Sequence, residues 1–243
     1  MEATNQLRAD MKIHTGNWIK KLNHPLNPSY HLFCFPYAGG GSWAYYSWKE
    51  HLSLRVGLYS IMLPGREERT AEPPVTSIQE LVNKLGPAML SYLHQPYVFF
   101  GHSMGALVAF ELARYLMNVG APAPVHLFLS AFPAPHLLLP KDMDQYRLSD
   151  DDFIDHVKKL GGIPEEVWRH RELVDMVLPL IRSDFRLFQT YQYQEGTPLP
   201  CGITVFGGMD DQEIPMENLS AWEKHSGEAF KLQMFTGGAF LLI

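Results

Sequence analysis

Short apolar runs recur along the chain, bounded by glycine, proline or polar residues. They are HLFCFP at 31–36, VGLYSIML at 56–63, YVFFGHS at 97–103, VHLFLSAF at 125–132, ITVFGG at 203–208 and FKLQMF at 230–235. Continuous runs of aliphatic, β-branched and aromatic residues suit strands buried on both faces. Between them lie segments whose apolar residues recur at helical spacing. Ser77 is placed to cap IQELVNKLGPAMLSYL, with Glu80 three residues on to complete a capping box. MGALVAFELARYLMN repeats its apolar positions in the same way. Strands that alternate with helices predict an α/β fold, with a mostly parallel sheet covered by helices on both faces.

Two stretches leave this rhythm. Residues 1–29 are polar and broken by Pro25 and Pro28, and read as a lead-in with one short helix. Residues 133–199 contain no convincing strand. They open on PAPHLLLP and continue into LSDDDFIDHVKKL, where Ser149 and Asp152 pair like a helix start. A turn at Gly161-Gly162 and the long amphipathic stretch RELVDMVLPLIRSDFRLFQTY follow. A helical insertion of this size between two sheet strands reads as a lid, or as a peripheral helical subdomain with no role toward substrate. Residues 1–243 otherwise read as a single domain.

Composition narrows the class of protein. Hydrophobic residues make up 46% and charged residues 19% of the 243 positions, enough for a sizeable core. The net charge of −6 is spread along the chain, and no basic block argues for nucleic acid. Cys34 and Cys201 each fall inside an apparent strand, which predicts two buried thiols in a reducing compartment. The first residues have no apolar core of a signal peptide, and no segment approaches about 18 uninterrupted apolar residues. Neither secretion nor membrane contact is expected, and a cytoplasmic monomer is.

The chemistry is carried by VFFGHSMGALVAF. Its G-x-S-x-G, at Gly101, Ser103 and Gly105, follows a strand directly and opens a helix. A nucleophile on so sharp a turn needs small residues two before and two after it, so that the backbone can bend without clash. Ser103 then projects at the positive end of the helix that starts near Met104, whose N–H is placed to stabilise an oxyanion. Upstream, FCFPYAGGGS runs a strand into a glycine-rich loop, Gly39 to Gly41. No Gly-Lys-Ser/Thr follows, and no G-x-G-x-x-G spacing fits a dinucleotide. In α/β-hydrolase geometry this loop donates the second oxyanion N–H, here from Ala38.

A serine nucleophile needs a base, and the base needs an orienting acid, in the chain order Ser, Asp/Glu, His. ITVFGGMDDQEIP offers Asp210 and Asp211 at a strand end, and Asp211 is the expected acid, because the residue nearer the glycines usually forms the turn. Of the eleven histidines only His225 follows it, on the apparent surface helix ENLSAWEKHS. His102 adjoins the nucleophile and fits a supporting or packing role. The base belongs on the turn after the last strand, Gly237-Gly238-Ala239, where an alanine cannot accept a proton. Leu137–Leu139 with Phe185, Phe188 and Tyr191 form an acyl-lining surface or, equally, a small core of the insertion itself.

Taken together, the chain resembles the type II thioesterases that accompany polyketide synthases and nonribosomal peptide synthetases, relatives of the medium-chain thioesterases of fatty acid synthase. The matching elements are FPYAGGGS at 35–42, LPGREER at 63–69, GHSMGALVAFELA at 101–113, LGGIPEE at 160–166, LPLIRSDF at 178–185, the Gly-Gly-x-x-Asp turn at 207–211 and FTGGAF at 235–240. The resemblance implies an α/β-hydrolase with a helical lid. It implies hydrolysis of acyl thioesters on the phosphopantetheine arm of an acyl or peptidyl carrier protein, with no metal or cofactor. Ser103 would be the nucleophile, Asp211 the acid, and Ala38 with Met104 the oxyanion donors. In the family the final turn reads Gly-Gly-His-Phe, so Ala239 stands at the catalytic histidine's position. The family also usually continues into a C-terminal helix beyond the point matching Ile243. Three readings of Ala239 stay open: a substitution that silences a working enzyme, a homologue that binds acyl carrier protein without hydrolysis, or service by His225 or another histidine. A small-molecule carboxylesterase of the same fold is a further alternative.

Overall fold

The computed structural model describes residues 17–138 and 144–240. Seven strands form one sheet: β1 (Ile19–Lys21), β2 (Tyr30–Phe35), β3 (Val56–Ile61), β4 (Tyr97–His102), β5 (His126–Ser130), β6 (Gly202–Gly208) and β7 (Phe230–Phe235), in the order β1-β3-β2-β4-β5-β6-β7. β1 runs antiparallel to β3, and every other neighbouring pair is parallel. The six apolar runs of the sequence are therefore the six parallel strands. β3 lies to one side of β2 and β4 to the other, so the chain changes direction between β2 and β4. The loops leaving these two strands meet at that switch point, which is where open α/β sheets place their sites.

Helices α1 (Ile78–Met89) and α2 (Met104–Asn118) pack their apolar sides on one face. There Leu81, Leu85, Leu107 and Leu112 join Phe33, Phe99 and Leu127 of the sheet in the main core. On the other face a 3-10 segment, Ser42–Glu50, seats Tyr45 and Trp48 against Leu58 and Phe100. The Tyr45 hydroxyl donates to the Phe35 carbonyl at 2.7 Å, which satisfies a fully buried polar tip. Ser77 caps α1 as expected, accepting from the Glu80 N–H at 3.5 Å. The reciprocal half of the capping box is absent among the described residues, because the Glu80 carboxylate accepts from Lys84 at 2.7 Å instead.

The lead-in differs from the sequence expectation. Residues 17–29 hold the edge strand β1, which the sequence reading did not foresee, anchored by buried Trp18 with the Arg69 guanidinium 3.7 Å from its ring centroid. Residues 1–16 of that stretch lie outside the described residues.

The insertion at 133–199 is helical among its described residues, with α3 (Asp150–Leu160), α4 (Glu165–Arg169) and α5 (Arg171–Gln189). Its only β element there is a single bridge from Leu199 to Ser226. Ser149 caps α3, accepting from the Asp152 N–H at 3.2 Å and donating to the Asp152 carboxylate at 2.6 Å. Phe153, Val157, Val174, Leu178, Ile181 and Phe185 give the insertion a core of its own. A short helix, α6 (Met216–Ser220), follows β6. Cys34, within β2, and Cys201 are buried free thiols; Cys201, expected inside a strand, lies one residue before β6. No helix among the described residues is long and apolar enough to cross a membrane.

Candidate active site

β4 ends at His102 and α2 begins at Met104, leaving Ser103 alone to reverse the chain. It does so at φ 51° and ψ −125°, a backbone conformation that a non-glycine residue adopts only when its surroundings impose it. Two hydrogen bonds impose it: Ser103 N–H donates to the Ser130 carbonyl, and Ala106 N–H to the Ser103 carbonyl, each at 2.8 Å. The flanking glycines are required by space. A Cβ on Gly101 would run into the Gly105 carbonyl, and one on Gly105 into the Phe35 carbonyl. Met104 N–H, first in its helix, has no intrahelical acceptor and points from the positive end of α2.

Ser103 opens onto a cavity of about 470 Å³, also lined by Tyr37, Ala38, Asp211 and Ala239. Its apolar wall comes from the insertion, through Val157, Leu160, Ile163, Phe185 and Phe188. Phe185 thus serves both readings given to it, since it also belongs to the insertion's core. Leu137 and Leu138 are not part of the wall, and Leu139 lies outside the described residues. Tyr191 also turns away, beyond the end of α5, and donates to Glu111 Oε1 at 2.6 Å. Ala38 sits on the loop leaving β2, directly before Gly39 at φ 79°.

The two aspartates after β6 are held in different ways. Asp210 ties two turns together: its N–H donates to the Gly237 carbonyl, and its Oδ2 accepts from Gly237 N–H, each at 3.0 Å. That lacing brings the turn after β7 beside the turn after β6. Asp211 Oδ1 accepts from Glu213 N–H at 2.9 Å and Ile214 N–H at 3.2 Å, which fixes the carboxylate. Its Oδ2 is buried and has no partner among the described residues. An unpaired buried carboxylate oxygen is costly, so a hydrogen-bond donor placed at this point would be stabilising. Ala239, on the laced turn, lines the same cavity as Asp211.

Among the described residues no histidine pairs with Asp211 Oδ2. His225 is buried, not on a surface helix face, and is not among the residues that line the cavity. Its Nε2 lies 2.7 Å from His136 Nδ1, and its ring packs on Phe110, Tyr193 and Trp222. His102 does line the cavity, but its Nδ1 is held by the Ser130 hydroxyl at 3.1 Å and its ring sits edge-on to Tyr37 and Phe240. Burial pushes the His102 pKa down to about 4. Burial, then the neighbouring His136, Lys224 and Arg114, bring His225 to about 4 as well.

These two rings make stability depend on pH. Above the ordinary value of 6.5 both are neutral whether the chain is folded or not, and the stability they confer is fully present. Below it the unfolded chain takes up protons that the folded chain refuses until about pH 4, so stability is lost progressively over that window. His225→Phe, which keeps an aromatic ring against Trp222, is expected to flatten this decline in urea-unfolding midpoints measured across it. Parallel curves for parent and variant would contradict the assignment.

A thioesterase-domain family model matches residues 30–243, most of the chain and the whole of this site. The chain belongs to the thioesterase family. Among its curated relatives, linear gramicidin dehydrogenase LgrE of Brevibacillus parabrevis is 41% identical over 95% of this chain and 88% of its own length. Gramicidin S biosynthesis protein GrsT of Aneurinibacillus migulanus is 38% identical over 93% of this chain and 88% of its own. The type II thioesterase BorB of the borrelidin biosynthetic cluster superposes with a TM-score of 0.83 at 37% identity, covering 94% of this chain and 93% of that one. The expected α/β-hydrolase fold and the resemblance to type II thioesterases are both borne out.

Sequence reading missed the group behind the Ala38 loop in this thioesterase. Asp184 of α5 accepts from Gly39 N–H at 2.8 Å and pairs with Arg66, whose Nη1 donates to the Gly40 carbonyl at 2.7 Å. One signal was available. In LPLIRSDFRLF the acid falls on the same helical face as Ile181 and Phe185, where an acid is out of place unless it is paired.

Proposed function

We propose that this thioesterase acts on acyl groups held as thioesters on the phosphopantetheine arm of a carrier protein in nonribosomal peptide or polyketide synthesis, and that Ala239 holds its own turnover far below that of the family. Ser103 is the nucleophile, Asp211 the triad acid, and the Ala38 and Met104 N–H groups bind the oxyanion. The insertion at 133–199 serves as the lid and supplies the acyl wall. The observation that carries the reading is the cavity that joins Ser103, at its strained turn, to an Asp211 with one oxygen unpaired. In the reaction the serine oxygen attacks the thioester carbonyl, the thiolate of the pantetheine arm leaves, and water then releases the acid. Both proton transfers need a base at position 239. A dinucleotide-dependent reaction finds no support in the residues, because the loop after β2 lacks the required glycine spacing.

A second reading rests on Ala239 itself: the chain binds acylated carrier protein without hydrolysing it. The test of substrate class compares one acyl group as an oxygen ester, as a free thioester and as a carrier-bound thioester, using the Ala239→His protein. The carrier-bound form is expected to react at least about tenfold faster per encounter than the other two, from added binding of the carrier and its arm. Equal rates on all three forms would point instead to a small-molecule carboxylesterase.

A further inference from the structure

We propose that Arg66 and Asp184 are positioning residues for the oxyanion hole, hanging the loop that carries the Ala38 N–H from helix α5. The proposal rests on the serine-hydrolase reading above. Asp184 and Arg66 are 2% and 7% exposed and meet in a two-pronged pair, Nη2 to Oδ1 at 2.6 Å and Nη1 to Oδ2 at 2.9 Å. The same Oδ2 accepts from Gly39 N–H at 2.8 Å, and the same Nη1 donates to the Gly40 carbonyl at 2.7 Å. The peptide groups immediately after Ala38 are thus gripped by one acid and one base.

The grip continues one residue on. Glu67, held at φ 51°, accepts from Ser42 N–H at 3.0 and 3.1 Å and from the Ser42 hydroxyl at 2.8 Å. A Cβ on Gly41 would press on the Glu67 carboxylate, so the third glycine of the loop is there to let this contact form. Consecutive residues of LPGREER therefore clamp the glycine loop at 40 and at 42, and the acid of LPLIRSDF clamps it at 39. None of Arg66, Glu67 or Asp184 lines the cavity, so their influence on chemistry must pass through the backbone of the loop.

Stability alone explains the pair poorly. Desolvating two charges offsets most of their attraction, and buried ion pairs are often replaced by apolar residues without loss. Here the Arg66 Nε is also buried with no partner among the described residues. What directional, charge-assisted hydrogen bonds supply, and an apolar contact does not, is a fixed orientation for the next peptide. An oxyanion donor needs that fixed orientation, since small displacements cost large factors in rate.

The test uses Asp184→Asn, the apolar double variant Arg66→Met/Asp184→Leu, and Arg182→Gln, which frees a different ion pair between α5 and Asp150 without touching the loop. In the Ala239→His background, Asp184→Asn and the double variant are expected to lower kcat about 100-fold with KM changed less than about threefold, the mark of a lost oxyanion donor. The double variant, which leaves the Gly39 N–H and the Gly40 carbonyl without partners, is expected to stay folded with a lowered unfolding midpoint, and Arg182→Gln to keep its kcat. An unchanged kcat in Asp184→Asn, a loss carried by KM, or an equal loss in Arg182→Gln would overturn the proposal. Amide exchange in the unaltered chain separates this from failure of the functional reading. Asp184→Asn is expected to speed exchange at Gly39 to Ser42 at least about tenfold while the core of α5 stays protected. If Ala239→His has no turnover, that exchange result decides alone, and unchanged exchange at the loop refutes the clamp.

Discussion

Restoring histidine at position 239 is expected to raise kcat/KM for acyl-pantetheine hydrolysis by about 10³-fold or more. The expectation follows from what is already in place. Asp211 is fixed through Oδ1 and has a buried Oδ2 unpaired among the described residues, and residue 239, on the turn laced to Asp210 through Gly237, lines the cavity shared by Asp211 and Ser103. An imidazole on that turn would donate from Nδ1 to Asp211 Oδ2 and accept the Ser103 proton at Nε2, giving base, acid and orienter at once. Losing one triad member costs nearly what losing all three costs, and about 10³–10⁴ over water survives from the oxyanion hole and binding. The unaltered chain is expected to sit at that residue. Steady-state hydrolysis of an acyl-pantetheine by parent and Ala239→His measures the gain. Adding Ser103→Ala to the variant should return it to the baseline, and adding Asp211→Asn should remove most of the gain by leaving the imidazole in the wrong tautomer. If the histidine protein stays at baseline while carrier-protein binding is intact, the chain is a binding homologue and not a silenced enzyme.

Five of the six parallel strands were legible because most of their residues are buried, so their apolar runs are nearly continuous. β7, at the sheet edge and only partly buried, was legible from its alternation of apolar and polar residues. β1 was not. Ile19 and Lys20 are only partly buried and Lys21 is exposed, and the strand exists through pairing with β3, a partner the local sequence does not name. That Asp210 belongs to the turn was readable from order alone, since it lies nearer the glycines. Tyr191 misled for the opposite reason: at helical spacing from Phe188 it looks like cavity wall. The helix ends at Gln189, and Tyr191 is carried away to Glu111.

The clamp on the glycine loop shows where local reading runs out. LPGREER and LPLIRSDF each stand out as motifs, but Arg66 and Asp184 are 118 positions apart, and nothing within either stretch says that they meet. Only the fold, by laying α5 over the loop leaving β2, turns two isolated charges in apolar surroundings into one structure. The surroundings of His225 were hidden from local reading in the same way. Order along the chain left His225 available, and its burial against Phe110 and Trp222 with His136 as partner takes it out of the site.

Gly105→Ala is expected to destabilise the fold by about 3 kcal/mol, the upper end of what overpacking a core costs, and to lower Tm by roughly 6–12 °C in a chain of this size. The reason lies in what the new methyl would meet. A Cβ at Gly105 falls on the carbonyls of Phe35 and Pro36, which are backbone atoms at the end of a central strand and cannot swing aside as a side chain could. Gly101 faces the Gly105 carbonyl in turn, so the first turn of α2 crosses the ends of β2 and β4 at backbone contact. Relief requires the start of α2 to lift from the sheet, and Ser103 sits one residue before that start. The same substitution should therefore also remove the turnover gained by Ala239→His. Gly120→Ala provides the comparison, because its Cβ would meet nothing within 4 Å and only its φ of 72° resists an L side chain. That strain alone costs about 1 kcal/mol. Thermal or urea unfolding of the two variants separates collision from backbone preference. Equal midpoints for Gly105→Ala and the parent would mean that α2 is not seated on the β2 carbonyls, and the geometric account of the G-x-S-x-G turn would fail with it.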